Sequence, residues 1–575
     1  MKVSFNFRPD SIPSDGLQKK WFFYLILLVF VMLVYISTFT GQFILDDKPL
    51  IENNTFITKA HPITSYFAQE DGISDERDEG SFHTGYYRPL INLTYWLDYK
   101  LWGISAPGFR TTNVVLHLAS CFILFHILLS LIGDRTVSFL TTILFALHPV
   151  NTESVSFIAA RNNIVAALFV LASFYFYMTG WERKKISALV ISIVSFAIAV
   201  FSKEFGLMAL PVFFLYQRVL SKRKNSFLKE IVLYLPYVII AIIYFILRKN
   251  VTTLLLPPFD MNDLLARVYY VPYIILYNLQ LIFFPRGLHS FIVPYPSSFF
   301  EWQPLLSIVV IFLLGLVMWF QRKNRILVFS ALAFLVVVFP VLNVIPTKAV
   351  TLISMRWLYL PMALIMVGVA SIIQKARKRR ETLTIAILCV ITLYFGAYSY
   401  ILNKNLWHDE GSFFYQEVVN FDNYFYSGGF ADKLIERKEY GESERYLKIA
   451  IDNYPYKSRN YINYSALLID TGRSEMALSY LNKAKSLTMI GKEKEEWLNN
   501  MGVVLTDLGQ YEKAIKYLYE ALKMNPEYAE AYNNMGVTLA KLGKMKEAVS
   551  HFKKALTFRP DYSEAQNNLR FITGQ

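Results

Sequence analysis

Apolar residues run in long unbroken stretches through the first 402 positions and then give way to a shorter, repeating alternation. No charged side chain interrupts 21–39, and roughly 20 apolar residues make a helix long enough to cross a bilayer. Similar runs recur near 112–132, 136–148, 163–181, 186–201, 205–220, 228–247, 303–320, 326–345, 357–374 and 382–402. The short run ending at His148 is expected to continue through Pro149. The stretch 266–284 is less apolar, because it contains Arg267, Pro272, Asn278 and Gln280.

Past Asn403 the pattern is amphipathic and periodic. Asn499-Asn500-Met501-Gly502-Val503 returns as Asn533-Asn534-Met535-Gly536-Val537, a shift of 34 residues. Gly509/Gly543, Ala514/Ala548, Ala521/Ala555 and Pro526/Pro560 repeat at the same shift. Paired helices with small residues at their crossings and Pro after the second helix are the tetratricopeptide signature. An earlier unit carries Gly472, Ala477 and Ala484, and a weaker one Ser443, Ala450 and Pro455. The pattern predicts an all-α chain: a polytopic membrane domain over 1–402, a linker over 403–423, and a tetratricopeptide solenoid of four units with a capping helix over 424–575.

Basic residues orient the spans, since Lys and Arg concentrate in cytoplasmic loops. If 266–284 does not cross, then Lys19-Lys20, Arg183-Lys184-Lys185, Lys222-Arg223-Lys224, Arg322-Lys323 with Arg325, and the cluster from Lys375 to Arg380 share one face. That choice makes 266–284 a re-entrant or interfacial element and gives eleven spans. The N-terminus is then cytoplasmic, and the loops 40–110 and 248–302 and the repeats are external. The first run lacks a small-residue cleavage site and reads as an anchor.

The chain is 54% hydrophobic and 18% charged, which excludes an ordinary soluble domain. Its net charge of +14 follows from the loop clusters and does not point to nucleic acid. Cys121 and Cys389 both lie in apolar runs and read as packing residues. The Lys-, Ile-, Phe- and Tyr-rich composition points to a prokaryotic cytoplasmic membrane with the repeats outside; an endoplasmic reticulum membrane with lumenal repeats is the alternative.

Chemistry concentrates at the external ends of the spans. Asp46 and Asp47 adjoin just past the first span. Paired carboxylates raise each other's pKa and serve proton abstraction, cation binding (Mg or Mn) or nothing at all. Other polar groups at span ends are Arg88, His148, Glu153, Arg161, Lys203, Glu204 and Arg356, with His117 inside the second span. Ionisable groups there are functional candidates. Each also has a plain reading: an interfacial anchor for Arg88 or Arg356, a helix cap for His148, a mutual pair for Lys203 and Glu204, a packing residue for His117. Jointly, carboxylates and cations on one membrane face suit a phosphate-bearing substrate and a proton to be removed nearby. In the repeats, Asn463, Asn500, Asn534 and Asn568 fall in phase on successive first helices. They are either ordinary solvated surface or a ladder of amides able to hold an extended peptide backbone.

These residues together resemble the transmembrane-and-tetratricopeptide O-mannosyltransferase family. Phe43-Ile44-Leu45-Asp46-Asp47, Tyr87-Arg88-Pro89-Leu90, Asn113 to His117, Leu147-His148-Pro149 with Glu153 and Arg161, Ser202-Lys203-Glu204, Arg356 to Pro361 and Trp407-His408-Asp409 match in order. Arg110 stands where relatives often carry His, and Met355 where many carry an acidic residue. The resemblance implies a C-type glycosyltransferase fold that transfers a sugar, mannose or another hexose, from a polyprenyl-phosphate donor on the external face without a required cofactor. It casts one aspartate of the pair as base and the cations as donor-phosphate ligands. It implies Ser or Thr of an exported protein, held by the repeats, as the acceptor. A non-enzymatic membrane scaffold for envelope assembly is the alternative; a transporter is disfavoured by the lack of symmetry between halves.

Overall fold

The computed structural model describes residues 17–59, 61–68, 85–221, 223, 227–252, 261–290, 298–342, 344, 353–489 and 491–574. All its regular elements of more than one residue are helical. The described residues divide into two compact units, one ending at Phe413 and one running from Phe414.

The first unit comprises α1 (Leu17–Tyr35), α2 (Pro89–Trp102), α3 (Ala106–Ile132), α4 (Arg135–Ala146), α5 (Asn151–Ser156), α6 (Arg161–Arg183), α7 (Ile186–Ser202), α8 (Ala209–Leu215), α9 (Phe227–Val251), α10 (Met261–Phe283), α11 (Trp302–Phe320), α12 (Arg325–Val338), α13 (Tyr359–Arg379) and α14 (Glu381–Asn405). Among the described residues, seven helical stretches are long and apolar enough to cross a membrane: Trp21–Thr40, Ala106–Ile132, Ile158–Arg183, Glu230–Val251, Trp302–Phe320, Met355–Arg379 and Glu381–Asn405. Arg135–Ala146, Ile186–Ser202, Tyr269–Phe283 and Arg325–Val341 are shorter apolar helices. α6 and α13 are mostly buried in protein and form the centre, whereas α9 and α11 leave most of their apolar surface uncovered.

Helices in hydrocarbon associate through small residues and side-chain hydrogen bonds, and these contacts have that character. A Cβ on Gly180 of α6 would lie 2.7 Å from Leu189 of α7. Ser173 and Ser192 bridge the same pair, each hydroxyl donating to the other's carbonyl at 2.7 and 2.8 Å. Ser330 of α12 donates to the Leu364 carbonyl at 2.8 Å on α13, beside Gly368.

Two elements depart from the sequence pattern. The run at 205–220 is not one regular helix: a 3₁₀ turn (Glu204–Met208), α8 and a π-turn (Tyr216–Leu220) succeed one another. Gly206 is responsible at its start, since it sits so close to the Ala199–Val200 backbone that a Cβ would fall 2.5 Å from it. Pro211 then lies in the first turn of α8, where its missing N–H costs nothing. The stretch 266–284 belongs to α10, an uninterrupted helix of 23 residues that absorbs Pro272.

The second unit stacks helix pairs: α15 (Ser427–Glu436) with α16 (Tyr440–Asn453), α17 (Ser458–Asp470) with α18 (Ser474–Lys485), α19 (Lys492–Asp507) with α20 (Tyr511–Met524), and α21 (Ala529–Lys541) with α22 (Met545–Phe558). α23 (Ser563–Thr573) follows. Gly502 and Gly536 allow the close crossings, because a Cβ would meet Leu518 at 2.5 Å and Phe552 at 2.6 Å. Gly509 and Gly543 turn the chain between paired helices at φ +73° and +84°, a conformation that favours glycine.

Candidate active site

One short segment, 153–163, contains Glu153 and Arg161 and bonds to Asp47, Lys203 and Arg356. It runs from α5 through a 3₁₀ turn (Ile158–Ala160) into α6, and successive positions reach four other segments.

The aspartate loop is the first. Phe43 and Ile51 pack with Ile57, Ile91, Tyr95, Phe109 and Ile158 in one core, which fixes the turn between them. Leu45 takes φ +47°, a strained value for a residue with a Cβ; its N–H donates to Glu410 Oε1 at 3.2 Å. Lys48 pairs with Glu410 at 2.6 Å. The turn separates the two aspartates. Asp46 is exposed, whereas Asp47 is 0% exposed. Asp47 accepts the Ala159 N–H at 2.7 Å through Oδ1 and the Ile44 N–H at 3.3 Å through Oδ2. Burial pushes Asp47 up to about 7, against the lowering effect of the Arg110 guanidinium and the two N–H donors; the Asp46 charge adds least. Burial, not the neighbouring carboxylate, therefore dominates. Arg110 is itself buried, donating to the Thr38 carbonyl at 3.2 Å and the Gln42 carbonyl at 2.5 Å. The pair does not present two carboxylates together, and no group of three His, Cys, Asp or Glu able to hold a metal occurs among the described residues.

The second contact is with the start of α13. Glu153 is buried; its carboxylate accepts Ser354 Oγ at 3.0 and 3.1 Å and the Arg356 N–H at 2.9 Å. The Arg356 guanidinium lies 3.5 Å from Glu153 and over the Phe157 ring. The third contact is with the turn after α7: Lys203 donates to Asn163 Oδ1 at 2.5 Å. Lys203 and Arg356 line a small pocket together with Asn163, Ala166, Ala167, Phe205, Trp357, Tyr359 and Leu360. Burial lowers Lys203 to about 7, helped by the Arg88 charge and opposed by Glu204. Glu204 pairs with Arg88 at 3.3 Å. Burial pushes Glu204 up, but Arg88, Lys203 and Arg248 outweigh it and hold the carboxyl at about 2. Asp47, Glu153, Arg356, Lys203, Glu204 and Arg88 thus belong to one connected region, with Asp46 the exposed chain neighbour of Asp47.

The fourth contact takes Arg161 out of that region. It is fully buried, bonding Asp98 at 2.5 Å, the Phe109 carbonyl at 2.8 Å and Asn113 Oδ1 at 2.7 Å. Asp98 also accepts Thr112 Oγ1 at 2.7 Å. An arginine so saturated ties α2, α3 and α6 together and has no side left for a phosphate. His117 is likewise enclosed, between the Tyr359 hydroxyl at 2.6 Å and the Ala146 carbonyl at 3.0 Å. His148 donates from Nε2 to the Ile282 carbonyl at 2.8 Å and accepts the Val150 N–H at 3.2 Å on Nδ1. Both histidines join helices.

In the second unit the in-phase asparagines link consecutive repeats. Asn534 donates to Asn499 at 2.9 Å, Asn568 to Asn533 at 2.9 Å, and Asn463 to Asp432 at 2.7 Å. Among the described residues Asn500 makes one long contact, accepting from Asn499 at 3.4 Å. The ladder therefore includes Asn499, Asn533 and Asp432, which the phase of a single position does not reveal. Asn499 and Asn533 were visible in the repeated Asn-Asn pair. Asp98, Arg110, Asn163 and Glu410 carry no comparable sequence signal, since their partners lie far along the chain.

Residues 85–247 match the family described as dolichyl-phosphate-mannose-protein mannosyltransferase, and residues 493–561 match the tetratricopeptide repeat. A Caenorhabditis elegans protein named Protein O-mannosyl-transferase F38B6.6 is 28% identical over 59% of this chain and 49% of its own length. Drosophila melanogaster Protein O-mannosyl-transferase Tmtc1 is 27% identical over 32% of this chain and 21% of its own. Mouse Protein O-mannosyl-transferase TMTC2 is 29% identical over 27% and 18%. The matched stretches span half or less of these relatives. Among solved structures, YrrB, a tetratricopeptide protein, aligns at 18% identity over 34% of this chain and 96% of that one, with a TM-score of 0.21.

Proposed function

Taking the chain as a match to the transmembrane-and-tetratricopeptide O-mannosyltransferases, we propose that it is a membrane glycosyltransferase that moves a hexose from a polyprenyl-phosphate donor to a Ser or Thr hydroxyl of an exported protein. The observation that carries this reading is the small pocket lined by both Lys203 and Arg356, tied through segment 153–163 to the Asp46–Asp47 loop. A lipid phosphodiester seated there meets two cations. The acceptor oxygen bonds the anomeric carbon as the bond from that carbon to the phosphate oxygen breaks. The leaving polyprenyl phosphate gains a negative charge, which Lys203 and Arg356 stabilise more strongly than the ground state.

Asp46, exposed, takes the hydroxyl proton, a contribution of ~10²–10⁴-fold. Asp47 is the positioning residue that pins the loop to Ala159. Arg88 and Glu204 set the charge around Lys203. The shared face of the basic clusters supports chemistry on the extracytoplasmic side, with the repeats holding the protein acceptor along the asparagine ladder. The test is reconstitution of the full chain in liposomes with polyprenyl-phosphate mannose and a Ser/Thr-rich peptide. Transfer is expected in wild type and lost in the Lys203→Gln, Arg356→Gln double variant; undiminished transfer in that variant rejects the phosphate site.

A further inference from the structure

α9 touches the rest of its unit along one narrow stripe. Glu230, Tyr237 and Tyr244 recur every seven residues and are buried. Glu230 pairs with Arg218 at 2.5 Å, Tyr237 donates to Ser192 Oγ at 2.8 Å, and Tyr244 donates to the Tyr87 carbonyl at 3.5 Å. Val232, Leu235, Ile239, Ile242 and Ile246 are exposed, so the remaining faces form the lipid boundary.

Arg248 stands four residues beyond Tyr244, which places it on the same stripe one turn further on. The Tyr244 ring packs against Tyr87 at 5.8 Å and Phe201 at 5.7 Å between centroids. Those two residues directly precede Arg88 and the Ser202-Lys203-Glu204 turn. The stripe therefore brings Arg248 toward the Arg88–Glu204 ion pair, and its charge is one of those that hold the Glu204 carboxyl down. Arg248 bonds the Tyr244 hydroxyl, and its Nε is buried without a hydrogen-bond partner among the described residues. An arginine with a buried donor unspent, at the end of a lipid-facing helix and within electrostatic reach of Glu204, is placed to meet an anion arriving from the bilayer. Arg favours phosphate because its planar fork bonds two oxygens at once.

We propose that Arg248 is the first phosphate contact of a lateral portal, between α9 and the turn after α7, through which a polyprenyl phosphate reaches Lys203 and Arg356 from the membrane. This rests on the function proposed above and adds a residue and a route to it. The lipid chain stays in hydrocarbon along the exposed face of α9 while only its phosphate enters the protein. No covalent step is assigned to Arg248, which binds and passes on the phosphate.

The test uses the full chain in phosphatidylcholine nanodiscs, titrated with a 55-carbon polyprenyl monophosphate and, separately, with inorganic phosphate. Arg248→Gln is expected to weaken polyprenyl phosphate binding about tenfold, the loss of one charge-assisted hydrogen bond. Arg248→Lys should lose about threefold or less, and Lys249→Gln, on an exposed neighbour, nothing. Thermal unfolding of each variant checks that the fold is kept, and the Lys variant retains the charge if Gln disturbs it. Unchanged binding in Arg248→Gln, with a loss in Lys203→Gln, overturns the portal and leaves the proposed function standing. Unchanged binding in Arg248→Gln, Lys203→Gln and Arg356→Gln alike overturns both. Inorganic phosphate binding as tightly as the lipid, with the same dependence on Arg248, shows a free-phosphate site and rejects lateral capture.

Discussion

The two adjacent aspartates differ so much in environment that Asp47→Asn and Asp46→Asn should fail in different ways. Asp47 uses one oxygen on the Ala159 N–H at 2.7 Å and the other on the Ile44 N–H at 3.3 Å, in a site with no solvent exposure. Asn keeps one acceptor and turns an NH₂ toward the other N–H. That forfeits a bond and leaves a buried donor without an acceptor, each worth about 1–3 kcal/mol. The sum, about 2–6 kcal/mol, is a large share of the ~5–15 kcal/mol that stabilises a domain. Asp46 is exposed and its replacement should shift stability by no more than about 0.5 kcal/mol. Titration adds a signature. Burial raises the folded Asp47 pKa from 3.8 to about 7, so the folded chain keeps a proton that the unfolded chain has already released. Its stabilisation is full below about pH 4 and is lost as pH rises through 7, and Asp47→Asn should remove that slope. Thermal unfolding in detergent across pH 4–8 reads both effects. Equal melting temperatures for the two variants, or an unchanged slope in Asp47→Asn, would refute the assignment of Asp47 as the anchor.

Further expectations concern the cationic pocket and the repeats. Lys203 is lowered to about 7, chiefly by burial, so it is cationic below that pH; Lys203→Gln should raise the donor KM about tenfold at pH 6 and much less at pH 8.5. An equal effect at both pH values refutes a charge role. Asn500 is the least engaged of the in-phase asparagines, so Asn500→Ala should reduce use of a protein acceptor without moving the melting temperature or donor hydrolysis. Changing Asn463, Asn534 and Asn568 to Ala removes three inter-repeat bonds and should cost about 0.5–1.5 kcal/mol each, read as a lower unfolding midpoint; an unmoved midpoint means those bonds do not hold the array.

Elements with a repeating or unbroken pattern were legible in the sequence. The 34-residue period places small residues where Gly502 meets Leu518 and Gly536 meets Phe552, because a solenoid repeats its contacts with its sequence. Long apolar runs announce α3, α6 and α13. The run at 205–220 misled because hydropathy does not register the close approach at Gly206. Arg161 looked like a free cation because its partner Asp98 lies 63 residues away. The adjacency of Asp46 and Asp47 was plain; their opposite exposure was not, since it depends on the left-handed backbone at Leu45 and on a bond to Ala159, 112 residues on. His148 read as a helix cap, but α5 has no side-chain cap bond; the ring instead bridges the Val150 N–H and the Ile282 carbonyl of α10, a partner the sequence does not reveal.

The most direct test of the central claim is single-turnover transfer of labelled mannose from polyprenyl-phosphate mannose to a Ser/Thr peptide by purified Asp46→Asn. The variant is expected to fold, to bind polyprenyl phosphate as wild type does, and to transfer ~10²–10⁴-fold more slowly, the contribution of a general base. Transfer at the wild-type rate would contradict the role of Asp46 and the account built on it.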